Sequence, residues 1–296
     1  MSRFVPSAAL ELLKPITWFA PMWAYMCGII SSGVALSGHW LIIGLGVLLA
    51  GPMVCGTSQA VNDWFDRHVD QINQPERPIP SGRIPGSWGL IIAVIWTILS
   101  VILATFLGLW GFLAALFGLA LAWAYSAPPF RLKRNGWWGN AAVGLCYEGL
   151  PWFTGAAIMA AALPGERVLL FAGLYSLGAH GIMTLNDFKS VEGDLKMGIA
   201  SLPAQMGVDR AARFACIVML IPQLVVAALL WFWQMPIYAA TLGVFILVQL
   251  VLMRRLLQAP RLRAPWYNAT GTSLYVGGML LAAFALRASS IAGEGL

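Results

Sequence analysis

The sequence predicts an all-α polytopic membrane protein, and three observations carry that reading. Hydrophobic residues make up 59% of the chain and charged residues only 10%, against about 25% charged in soluble domains. The apolar runs are long, many close to the roughly 20 residues a helix needs to cross a hydrocarbon core. They are also continuous, without the in-out alternation of barrel strands. The 296 residues read as one transmembrane domain, 1–296, because the stretches between apolar runs are too short to hold another fold.

Residues 1–15 mix Glu11 and Lys14 with apolar side chains and show no cleavage site after an apolar core. They read as an interfacial segment rather than a signal peptide. Apolar spans follow at 17–36, 40–61, 88–108, 110–127, 138–161, 167–186, 211–232, 236–253 and 268–287, which predicts nine transmembrane helices. Gly51-Pro52 predicts a kink in the second. Gly108-Leu109-Trp110-Gly111 and Gln234-Met235-Pro236 predict tight hairpins. Residues 62–87 and 187–210 read as motif-bearing loops.

Charge gives the orientation. Arg67, Arg77, Arg83, Arg131, Lys133, Arg134, Lys189, Lys196, Arg210 and the later basic residues up to Arg263 fall in alternate connections. The other connections hold only Arg167. By the positive-inside rule the basic loops and the N-terminus are cytoplasmic, and the C-terminus is outside. The net charge of +6 therefore reflects topology. No basic-aromatic module for nucleic acid accompanies it. Cys27, Cys55, Cys146 and Cys216 all lie in apolar segments without a C-x-x-C, so they read as buried small side chains.

The chemistry is concentrated after the second span. Asn62, Asp66 and Asp70 are spaced four apart and share one face if the helix continues. They repel one another near a helix C-terminus, where the dipole favours cations. A divalent ion would resolve both problems, and oxygen-only ligands suggest Mg²⁺. The plainer alternative is a solvated helix end. A second copy, Asn186-Asp187-Phe188-Lys189-Ser190-Val191-Glu192-Gly193-Asp194, also follows an apolar run. Superposing Asn186 on Asn62 lays Asp187 on Asp63, Ser190 on Asp66 and Asp194 on Asp70. The repeat favours a metal-bridged diphosphate site.

The proline-rich stretch 75–85 is stiff and can place Arg77 and Arg83 over an anion. Tyr125 and Ser126, a proline pair, then Arg131 and Lys133 follow the fourth span, and these groups suit phosphate oxygens. Either cluster could equally mark a membrane boundary. Glu148 and His180 stand inside spans, where ionisable residues are functional candidates. His180 could ligate the metal of a flat macrocycle or simply hydrogen-bond between helices.

Together, N-D-x-x-D-x-x-x-D, R-P-I-P-S-G-R, Y-S-A-P-P-x-R-L-K and N-D-F-K-S-V-E-G-D resemble the UbiA superfamily of intramembrane prenyltransferases. The resemblance runs from Lys14 to the ninth span. Asn186 to Pro203 is similar to chlorophyll synthases. The stretches 51–59 and 147–152 look most like their bacteriochlorophyll synthase branch. It implies nine helices around a central cavity, with Mg²⁺ between the two motifs. It puts Asn62, Asp66, Asp70, Asp187 and Asp194 on the metal, the four carboxylates being catalytic. Many members have Asp where this chain has Ser190. Asp187 is the expected stand-in, since 187 and 194 share a face of one helix. The resemblance puts Lys14, Arg77, Tyr125, Ser126, Arg131, Lys133 and Lys189 at the diphosphate, and Glu148 and His180 on the acceptor side.

The implied reaction transfers a C20 prenyl group from geranylgeranyl or phytyl diphosphate to the propionate of bacteriochlorophyllide. The implied setting is a bacterial inner, photosynthetic intracytoplasmic membrane, in association with other pigment-synthesis or photosynthetic proteins. Alternatives are a different acceptor (chlorophyllide, an aromatic ring or haem) and a transporter or pigment-binding protein. A transporter would place its charges near the bilayer midplane. Here they cluster at one surface.

Overall fold

The computed structural model describes residues 5–293. Among these, the regular structure is helical throughout, apart from a single-residue bridge between Asn135 and Ala200. Six helical stretches are long and apolar enough to cross a bilayer: Trp40–Ile72, Trp88–Ser126, Glu166–Lys189, Val208–Phe232, Pro236–Leu256 and Pro260–Ser290. All nine expected spans are largely helical, but six, not nine, meet the length and apolarity requirement on these bounds. One of the six, Trp88–Ser126, holds two antiparallel helices, α5 and α6 below, joined by a turn at Thr105–Leu107.

The chain opens with α1 (Pro6–Leu13) and α2 (Phe19–Ser31). α1 does more than lie at an interface. It buries Ala8, Leu12 and Leu13 against Ala60, Val61, Ile84 and Ile92. Next come α3 (Trp40–Leu48), a π-helical turn (Leu49–Cys55) and α4 (Gly56–Asn73) as one continuous rod. At Gly51-Pro52, where a kink is expected, the rod carries this π turn, since Pro52 lacks the N–H that a regular ladder needs. The first motif lies on α4, which runs on past the apolar span as its four-residue spacing requires, so the stretch 62–87, read as a loop, is helical as far as Asn73.

α5 (Trp88–Ala104) and α6 (Gly108–Ser126) follow, and Trp123 Nε1 donates to Thr97 Oγ1 across the hairpin at 3.1 Å. α7 (Gly136–Gly144) and α8 (Leu150–Ala160) flank a second π turn, Leu145–Gly149. α8 crosses α2 at close range: a Cβ at Gly28 would meet the Trp152 carbonyl, and one at Gly155 the Tyr25 carbonyl. Small residues permit such approaches in a membrane, where packing rather than water drives association.

α9 (Glu166–Asn186) ends in a tight turn, Asp187–Lys189, followed by α10 (Val191–Met197) and α11 (Leu202–Met206). Residues 187–210 are thus mostly short helices rather than loop. α12 (Val208–Phe232), α13 (Pro236–Leu256) and α14 (Pro260–Gly293) complete the bundle. Gln223 and Gln249 clasp α12 to α13 through bonds of 2.8 and 3.2 Å. Large apolar side chains such as Ile98, Ile102, Leu247 and Val251 stay exposed, as expected for surfaces that face lipid.

Candidate active site

α4 presents the first motif, and each of its carboxylates already has a cationic partner. Asp63 Oδ1 lies 2.6 Å from Lys14 Nζ and 3.3 Å from Arg77 Nη1. Asp70 Oδ2 lies 2.7 Å from the same guanidinium nitrogen. Lys133 Nζ reaches Asp66 Oδ1 at 2.5 Å. Burial pulls the Lys133 amine below the usual lysine range, against the opposing pull of Asp66. Asn62 Nδ2 donates to Ser126 Oγ at 3.2 Å. Arg83, expected beside Arg77 over an anion, points away. It makes a two-pronged pair with Glu11 at 2.5 and 2.9 Å and donates to the Glu76 carbonyl at 2.6 Å.

The second motif is organised differently. Asp187 and Asp194 do not share one helix, because α9 stops at Asn186 and α10 starts afresh at Val191. Asp187 Oδ2 accepts a bond from Asn140 Nδ2 at 3.2 Å, and Asn140 also donates to Thr184 Oγ1 at 3.3 Å. Asp194 Oδ2 accepts from Ser190 Oγ at 3.0 Å and from Ser201 Oγ at 2.6 Å. Ser201 is delivered by the short pairing of Ala200 with Arg134 and Gly136, at 2.9 and 2.7 Å. The Asn135 side chain caps α7 just beside that pairing, accepting from Trp137 N at 2.9 Å.

The two motifs open on one cavity of about 810 Å³. Asn62 lines it from the first motif, and Asp187, Lys189 and Ser190 line it from the second. Tyr125 stands between them, within electrostatic reach of Asp66, Asp187 and Asp194. Elsewhere the wall is largely apolar, with Phe19, Trp23, Ile182 and Val276, and it includes Glu148. Lys14, Asp66, Asp70, Arg77, Ser126, Arg131, Lys133 and Asp194 do not line it. Arg131 and Lys189 have no ion-pair partner within 4.0 Å among the described residues.

His180 does not line the cavity either. Its Nε2 lies 3.2 Å from the Trp137 carbonyl, and its ring packs against Trp137 and Phe214. This is the helix-to-helix contact that was the plainer reading of a lone buried histidine. Three polar residues with clear contacts escaped the sequence reading: Asp63, Asn140 and Ser201. Asp63 carried a signal, since it repeats as Asp187 in the second copy. Asn140 and Ser201 carried none, because each matters only through a partner distant in sequence.

The donor set fits Mg²⁺. It is oxygen-based, and Asp63 Oδ2 is buried without a hydrogen-bond partner next to the Asp70 pair. Among the described residues no three acidic, His or Cys side chains gather around one point. Mg²⁺ does not require such a cage, because it is usually held by one or two carboxylates plus substrate phosphates and water.

The model of the UbiA prenyltransferase family matches residues 16–288. The chain belongs to that family. Among UbiA relatives, it is 55% identical over 282 residues to the bacteriochlorophyll synthase 33 kDa chain of Cereibacter sphaeroides, covering 95% of this chain and 93% of the relative. It is 54% identical over 289 residues to the corresponding chain of Rhodobacter capsulatus, covering 97% and 95%. The chloroplastic chlorophyll synthase of Oryza sativa is 38% identical over 292 residues, covering 93% and 76%. The UbiA fold is shared with a UbiA homolog from Archaeoglobus fulgidus bound to DMAPP and Mg²⁺, at TM-score 0.73 and 18% identity over 95% of this chain and 99% of that one. A digeranylgeranylglyceryl phosphate synthase structure matches at TM-score 0.73 and 21% identity, over 94% and 98%.

Proposed function

We propose that this prenyltransferase moves a C20 group, geranylgeranyl or phytyl, from its diphosphate to the propionate carboxylate of bacteriochlorophyllide, with Mg²⁺ as cofactor. The observation that carries the chemistry is the meeting of Asn62 with Asp187 and Ser190 on one cavity. The acceptor rests on the likeness to bacteriochlorophyll synthases.

In this reading Asn62, Asp66, Asp70, Asp187 and Asp194 hold Mg²⁺, whose charge stabilises the departing diphosphate. Lys14, Arg77, Tyr125, Ser126, Arg131, Lys133 and Lys189 take the diphosphate oxygens. Three of these cations are bonded to first-motif carboxylates. Loading would therefore exchange ion pairs at two positions, Lys133 and Arg77 turning to phosphate as Asp66 and Asp70 turn to metal, which avoids leaving either carboxylate unpaired. The apolar walls keep water from the allylic carbon as its bond to oxygen loosens. The propionate, with a pKa near 4.3 as for a Glu side chain, is about fully ionised at neutral pH. It attacks C1 without a base.

The motif side faces the cytoplasm of a bacterial inner, photosynthetic intracytoplasmic membrane. A cysteine replacing Lys196 should label from that side only, and one replacing Ala162 from the other only. The function is tested by incubating purified protein with Mg²⁺, geranylgeranyl diphosphate and a panel of acceptors, and weighing the product. Prenylated bacteriochlorophyllide is expected. Product from an aromatic ring or haem alone would replace the acceptor assignment.

A further inference from the structure

Glu148 sits on the π turn Leu145–Gly149 with only 5% of its surface exposed, and it lines the cavity. Its Oε2 is buried without a hydrogen bond. No Lys, Arg or His among the described residues forms an ion pair with it. Burying a carboxylate in that condition is strongly unfavourable, so a partner that arrives with the substrate would complete it. π turns frequently mark functional positions. Two more buried polar atoms without partners belong to residues of the same wall, Asn268 Oδ1 and Thr272 Oγ1 on α14.

Depth agrees. Glu148 lies eight residues beyond Asn140, the residue that holds Asp187, which is roughly 12 Å along a helix. Both residues line the same cavity, so it extends from the second motif inward to Glu148. His180 has no such access.

Resting on the acceptor proposed above, we propose that Glu148 supplies the axial oxygen ligand to the central magnesium of the tetrapyrrole. Magnesium is a hard cation that takes oxygen ligands. The four ring nitrogens occupy its equator and leave the axial position open. The metal answers the lone carboxylate, and the bond sets the depth of the macrocycle, so that its propionate ends beside the diphosphate. Asn268 and Thr272 are placed for polar groups at the ring edge.

The test compares bacteriochlorophyllide with its metal-free counterpart on full-length protein in detergent, using wild type, Glu148→Gln and Glu148→Leu. Two readouts are taken. One is kcat/KM with geranylgeranyl diphosphate and Mg²⁺. The other is an absorption titration of bound pigment, whose Qx band responds to axial ligation and needs no turnover. Glu148→Leu should weaken binding and kcat/KM for the magnesium acceptor about tenfold or more, the scale of one lost bond to a charged group. It should abolish the band shift and leave the metal-free acceptor unaffected. Glu148→Gln, which keeps a carbonyl oxygen, should fall between. Equal losses on both acceptors, or a Qx shift in Glu148→Leu as large as that of wild type, would overturn the assignment. A wild type that shows the shift but makes no product would instead count against the proposed reaction.

Discussion

Lys14 Nζ stands 2.6 Å from Asp63 Oδ1, which ties the end of the N-terminal helix to the start of the first motif. The Asp63 side chain is 2% exposed, and its other partner is the more distant Arg77, at 3.3 Å. Lys14→Met should therefore destabilise the protein by about 1–3 kcal/mol, the range for stranding a buried polar group. Asp63→Asn removes the stranded charge, so the double variant should lose less than the sum of the singles. Reversible denaturation in detergent measures this. Simple additivity would mean that the pair is not coupled.

Chelation should stop transfer. Asp66→Asn and Asp194→Asn should each lower kcat by at least about 10²-fold, the scale of losing a group that stabilises charge in the transition state. The protein should remain monodisperse in detergent. Undiminished turnover in EDTA, or in either variant, would remove the two-motif metal site.

Ser190 and Ser201 converge on the same oxygen of Asp194. Ser190→Ala or Ser201→Ala alone leaves one hydroxyl in place, and each should cost only a few-fold, about 1 kcal/mol. Together they should cost more than the product of the singles, with the Mg²⁺ requirement shifted to higher concentration. Asp187→Ala should be nearly as harmful as Asp194→Ala. A severe Ser190→Ala beside a silent Asp187→Ala would give the metal role to the serine position.

The Glu11 carboxyl is held below the usual carboxylate range by hydrogen bonds from Arg83. A lowered folded-state pKa stabilises above the unfolded value, about 4.3 for Glu, and the benefit fades as pH falls through the folded value. Both groups are exposed, so the effect is small and salt-sensitive. The thermal midpoint of wild type should exceed that of Glu11→Gln at pH 7, and the two should converge in acid. A gap that persists unchanged in acid would contradict this.

Carboxylate attack needs no proton removal. The rate should stay flat from about pH 6.5 to 8, with no limb at a histidine pKa. His180→Ala should leave that profile flat, since the ring lies off the cavity. A limb near pH 6.5, at the ordinary histidine value, that vanishes in His180→Ala would restore a general base. Prenylation of the propionate methyl ester would refute carboxylate attack.

Composition and the length of the apolar runs together determined the all-helical membrane class, because continuous runs such as 88–108 leave few other options in lipid. Four-residue spacing placed Asn62, Asp66 and Asp70 on one helix, and α4 is continuous through all three. The repeated N-D pattern singled out both halves of the candidate site. The tertiary structure decided what local spacing cannot carry. It broke the helix between Asp187 and Asp194, whose shared face required a continuity that the turn at Asp187–Lys189 interrupts. It turned Arg83 to Glu11 and put Asn140 on Asp187, both contacts between residues far apart in sequence. It also walled His180 off while leaving Glu148 on the cavity. Two buried ionisable residues look alike in a hydropathy profile, and which one faces the cavity depends on how the helices are rotated as they pack. That rotation follows from contacts spread over the whole bundle, such as Gly28 and Gly155 at the crossing of α2 and α8, and no single stretch of sequence encodes it.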